Sequence, residues 1–118
     1  MEDRYIKVIL IDGPSKIIQE YEIRPSHYEI EDAIGTRFWS KRLLGNGDTL
    51  YHHVGDFGDA EVTYSMCGGG YTGSGLIVRL DRYHDLTSCN TPIEYAREII
   101  TFPEIADERP PETSPGGE

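Results

Sequence analysis

The chain has two cysteines in 118 residues, no long apolar run and only eleven basic side chains. So few cysteines cannot staple a disulfide scaffold, and without a stretch of about twenty apolar residues there is no helical membrane span. Eleven bases against twenty-one acids leave a net charge of -10 and a pI near 4.7. That balance argues against direct nucleic-acid binding, because a phosphate backbone attracts clustered bases and repels a surface of this sign. Met1-Glu2-Asp3-Arg4 lacks the basic-then-apolar pattern of a secretory signal; the expected location is the cytoplasm, with Cys67 and Cys89 as thiols.

What is present fits one domain of the α+β class. The composition changes once, near Pro103, so residues 1–103 are expected to form the domain and residues 104–118 an acidic, Pro/Gly-rich, disordered tail carrying -4 of the charge. Tyr5 to Ile11 is a nearly continuous β-branched run ended by Asp12-Gly13-Pro14-Ser15, which reads as a strand buried on both faces. Ile17 to Ile23 alternates, with Ile17, Tyr21 and Ile23 on one side and Glu20 and Glu22 on the other, and should pair with the first strand as a hairpin. Ser26 followed by Glu29 is a capping box for a short helix using Ile30, Ala33 and Ile34, which Gly35 would end. Thr36–Leu44, Leu50–Val54, Glu61–Met66 and Leu76–Leu80 read as further strands, the first two joined at Gly45-Asn46-Gly47-Asp48. Thr91-Pro92-Ile93-Glu94 predicts a helix capped by Thr91, with an apolar stripe of Ile93, Ala96, Ile99 and Ile100. The expected architecture is an antiparallel sheet of five or six strands with two short helices packed on it.

The order of these pieces resembles a family of small bacteriophage and mobile-element proteins of unknown function. The resemblance is carried by Ile9-Leu10-Ile11-Asp12, the acidic strand from Ile18 to Glu22, Ala33-Ile34-Gly35, Asn46-Gly47-Asp48, and Gly73-Ser74-Gly75-Leu76-Ile77-Val78 ahead of a capped helix. It spans Tyr5 to Phe102 and departs from the family pattern at Met66-Cys67-Gly68-Gly69-Gly70-Tyr71. It implies host manipulation or evasion of host defence, with no catalytic residues to carry over.

Gly68 to Gly73 satisfies Gly-x-Gly-x-x-Gly, but a strand rather than a helix follows, so the pyrophosphate would find no helix N-terminus. A mobile loop is the plainer reading. The alternative is a nucleotide-sequestering site built from Gly69, Gly70, Tyr71, Gly73 and Arg79 with Arg37, Trp39 and Arg42. His52, His53, Cys67, His84 and Cys89 lack zinc-ligand spacing, so no metal or other cofactor is expected. No nucleophile–base pair is marked out, and no enzymatic activity is expected. The acids are the leading feature. Glu20, Glu22, Glu29, Glu31 and Asp32 fall in adjoining elements, and Asp56, Asp59 and Glu61 surround Phe57. Charge around an exposed aromatic suits a basic partner surface. The expected function is therefore a non-enzymatic inhibitor whose acidic surface occupies a basic, nucleic-acid-binding site on a host or defence protein. A plain assembly module is a further alternative, and self-association is left open.

Overall fold

The computed structural model describes residues 5–54 and 62–103. The acidic group at Asp56, Asp59 and Glu61 with Phe57, and the tail at 104–118, lie outside them. The class is α+β, with eight strands where the sequence predicts five or six. They are β1 (Ile6–Asp12), β2 (Ile17–Ile23), β3 (Trp39–Leu43), β4 (Asp48–His53), β5 (Tyr64–Met66), β6 (Gly69–Leu80), β7 (Leu86–Thr87) and β8 (Ile100–Thr101). The helices are α1 (His27–Ile34) and α2 (Ile93–Ile99). The additional strands β7 and β8 are two residues long, too short for any periodicity to announce.

The main sheet runs β2-β1-β6-β4-β3, antiparallel throughout. Alternation divides β1 between two cores. Ile6, Val8 and Leu10 join Tyr51, Leu76 and Val78 beneath Ile30 and Ile34 of α1. Ile9 and Ile11 join Leu50 and Ile77 on the other face, with Tyr64, Met66, Tyr71, Ala96 and Ile100. Burial on both faces is why β1 reads as an unbroken apolar run rather than an alternating one. Each fully buried isoleucine here contributes about 2 kcal/mol of transfer free energy.

β6 corrects the sequence reading most sharply. The glycine run expected as a mobile loop is the first half of the longest strand. β6 pairs with β1 and β4 through its second half and with β5 through its first. The register shifts opposite His52 and His53, where Gly73 takes a φ of +66°, and this bulge bends the strand from one partner set to the other. The glycines make room for side chains lying across the strand. A β-carbon at Gly69 would come within 2.8 Å of both the Arg42 guanidinium and the Tyr71 hydroxyl. The loop is instead two residues long: Cys67 and Gly68, both at positive φ, turn β5 back into β6.

Both helix starts differ in detail. The Ser26 hydroxyl accepts from Tyr28 N–H at 3.1 Å as expected, while the Glu29 carboxylate reaches past Ser26 to Arg24 N–H at 3.4 Å. Gly35, with φ +79°, ends α1 in the left-handed conformation a C-terminal glycine allows. In α2 the cap is Pro92 rather than Thr91. Thr91 is drawn away because its N–H donates to the buried Asp48 carboxylate at 2.8 Å and its hydroxyl makes a short bond to the same oxygen.

Candidate functional site

One side of α1 and the segment leading into β3 form the most exposed aromatic surface among the described residues. Tyr28 is 81% exposed and Phe38 72%. They flank a groove of about 550 Å³ lined also by Glu31, Asp32, Gly35, Thr36 and Arg37. Local chemistry holds the Phe38 backbone in place. The Thr36 hydroxyl accepts from Phe38 N–H at 2.9 Å, and the Phe38 carbonyl accepts from Val54 N–H at 2.8 Å. The Thr36 turn also delays β3, which begins at Trp39 rather than Thr36. With its backbone bonded on both sides, Phe38 presents its ring to solvent while its neighbour Trp39 turns inward.

Trp39 supplies a rigid floor. Its indole N–H donates to Glu31 Oε2 at 3.0 Å, and its ring stacks with His27 at 5.4 Å and tilts against Tyr51 at 5.0 Å. His27 Nε2 and the Tyr51 hydroxyl lie 3.3 Å apart. Burial raises the Tyr51 phenol above its ordinary pKa, so it remains a neutral group. The result is an aromatic cluster anchored on the buried Tyr51, with Trp39 half-buried and His27 exposed, beside an acidic rim and two large projecting rings.

The structure brings together only part of the expected acidic patch. Glu29, Glu31 and Asp32 share α1, whereas Glu20 and Glu22 pair in register with Ile9 and Lys7 and so lie on the α2 side of the sheet. Glu20 stands 3.9 Å from the Lys7 ammonium. The signals for Tyr28 and Phe38 were available in the sequence but not used. Tyr28 falls off the Ile30–Ala33–Ile34 stripe, and of the adjacent pair Phe38 and Trp39 only one can face a core from extended backbone.

The residues expected for a nucleotide site converge only in part: Arg42, Gly69 and Tyr71 meet, and Arg37, Trp39 and Arg79 do not join them. Trp39 lies on the α1 side, Arg37 lines the groove beside it, and Arg42 lies on the α2 side. Arg42 donates to the Tyr71 hydroxyl in a short bond and to the Cys67 carbonyl at 2.9 Å, over Gly69. Gly70 faces Val62, and Gly73 faces His53. Arg79 is committed to Asp48 at 3.2 Å and to the Asn46 carbonyl at 3.4 Å. His52 packs on Tyr71 with centroids 4.8 Å apart; burial foremost, and then the Arg42 charge, lower its pKa below the ordinary histidine value. This corner is an arginine–tyrosine clamp that fastens β3 to the β5–β6 turn.

Cys67 is an exposed thiol and Cys89 a half-buried one, unpaired. Burial foremost pushes the Cys89 thiol above its ordinary pKa. Among the described residues no three His, Cys, Asp or Glu side chains group closely enough to hold a metal ion, and no helix is long and apolar enough to cross a membrane. No family model, curated protein or solved structure matches the chain.

Proposed function

We propose that this chain is a non-enzymatic inhibitor of the phage type, which binds a basic, nucleic-acid-binding surface of a host or defence protein through the acidic, aromatic side of α1 and the segment after it. One observation carries this reading: Tyr28 and Phe38 project 81% and 72% exposed on either side of a groove walled by Glu31 and Asp32. Two large rings left in water at one place are a feature of binding surfaces. In an interface such rings supply the energy of desolvation, while surrounding charge of one sign speeds encounter with a partner of the other. The host setting comes from the phage-family resemblance of the sequence, and the basic partner from the sign of the rim and the net charge of -10.

The test begins by re-isolating tagged protein from a bacterial lysate at low salt and identifying a stoichiometric partner by native mass spectrometry. Phe38→Ala or Tyr28→Ala should then weaken that complex by roughly thirtyfold, about 2 kcal/mol. Asp32→Lys should slow association chiefly at low ionic strength. A complex indifferent to all three substitutions, or one that holds its affinity from low to moderate salt, overturns the reading.

A further inference from the structure

Two strands pair with no strand on their outer side among the described residues, β2 at one end of the sheet and β3 at the other. Which backbone groups they offer follows from bonds made elsewhere. On β3, Val54 N–H donates to the Phe38 carbonyl and Leu44 N–H to the Asp48 carbonyl at 2.7 Å. Phe38, Ser40, Arg42 and Leu44 therefore spend their backbone groups on β4, and Trp39, Lys41 and Leu43 turn theirs outward. On β1, Lys7 gives its N–H to Ser88 Oγ and its carbonyl to Cys89 N–H, on the side away from β2. Its cross-strand partner Glu22, and by alternation Glu20 and Ile18, thus direct their backbone groups outward. The Ile18 carbonyl takes Arg97 at 3.2 Å, consistent with this direction.

The two edges carry opposite charge: Glu20 and Glu22 on β2, with Lys7 beside Glu20, and on β3 the exposed Lys41 together with Arg42, whose guanidinium is also held by Tyr71 and Cys67. A lysine on an edge ordinarily discourages strand addition. An acidic edge removes that penalty. We propose that copies of this chain join edge to edge, β2 of one to β3 of the next, in an open and salt-sensitive assembly. This inference does not rest on the binding surface at α1.

The geometry selects this pairing over the symmetric ones. Every step of the order β2-β1-β6-β4-β3 is antiparallel, so β2 and β3 run in the same direction. A second copy with the same face up lays its β3 parallel to β2. Outward-bonding Glu20 then stands opposite Arg42, both on the α2 face. On the other face Tyr21, 40% exposed, meets Leu43, 74% exposed. In full overlap, β2 against β2 sets glutamate against glutamate, and β3 against β3 sets Lys41 against itself; like charges directly opposite are destabilising. Joining unlike edges by the same operation each time does not close at two copies.

Sedimentation and light scattering on the full chain, from micromolar to millimolar protein, test the proposal. The expected result is a weight-average mass that passes that of a dimer with concentration and falls back toward the monomer as salt is added. Glu20→Arg and Arg42→Glu should each remain monomeric alone, and an equimolar mixture of the two should associate because each supplies the edge the other lacks. Since Arg42 also clamps Tyr71, Lys41→Pro provides a second test: it removes an outward N–H and an exposed edge charge while sparing the bonds to β4, and should abolish growth with the thermal transition retained. A monomer at every concentration, a mass that stops at the dimer, or growth unaffected by Glu20→Arg and Lys41→Pro overturns it.

Discussion

Asp48 makes more of the described side-chain bonds than any other carboxylate. Its fully buried carboxylate accepts from Arg79, from Asn90 and Thr91 N–H and from the Thr91 hydroxyl, tying the start of β4 to the segment that launches α2. Asp48→Ala strips all four donors of their acceptor and should cost about 3–5 kcal/mol in denaturant unfolding, the range for breaking a buried charged pair. Asp48→Asn, which keeps one acceptor, should cost less. His52 predicts a dependence on pH. The fold resists a proton on His52 that the unfolded chain accepts, so its contribution to stability is present above the unfolded pKa of about 6.5 and is lost as pH falls through it. The denaturation midpoint should therefore drop between about pH 7.5 and 5.5, and His52→Asn should flatten that slope. Residue roles of this kind were hard to read in advance. Asp48 stands in Gly45-Asn46-Gly47-Asp48, where turn chemistry accounts for an aspartate without any need to bury it.

Among the elements, β6 shows where local sequence misleads. Low propensity in Gly68 to Gly75 argues for a loop, yet side chains from four other places cross this strand and require bare backbone under them. Tyr64 is one of them, its ring over Gly75 and its buried hydroxyl unpartnered. Gly75→Ala should destabilise by about 1–3 kcal/mol through overpacking. Tyr64→Phe should be neutral or slightly stabilising, since it removes a buried polar atom that has no bond to lose. Combining them should recover part of the glycine penalty, a coupling readable from a double-mutant cycle in equilibrium unfolding. Elements governed by their own residues were legible. The β1–β2 hairpin and its register faces follow from the run at Tyr5–Ile11 and the alternation at Ile17–Ile23, and α1 from Ser26 and Gly35. The start of α2 shifted by one residue because a contact forty-three positions away claimed Thr91.

At the scale of the whole molecule, the charged sheet edges are separate from the acidic groove between Tyr28 and Phe38. The sheet edges carry acids at one end and bases at the other, while Tyr28 and Phe38 stand with Glu31 and Asp32 along α1 and the segment after it. The sequence reading gathered Glu20, Glu22, Glu29, Glu31 and Asp32 into one patch because they are neighbours in the chain. The sheet divides them, since one turn carries the backbone from β2 to a helix packed on the opposite face. Salt should therefore act on two processes that mutation can separate: Asp32→Lys on partner association, and Glu20→Arg on self-association.

The central position of β6 also has a consequence for synthesis. Translation delivers the chain N-terminus first, so the β1–β2 and β3–β4 hairpins leave the ribosome before the strand that joins them does. Until β6 follows, the nascent polypeptide holds two hairpins with Ile9, Ile11 and Leu50 still in water, and mutual repulsion among its many carboxylates opposes contact between neighbouring nascent chains during that interval.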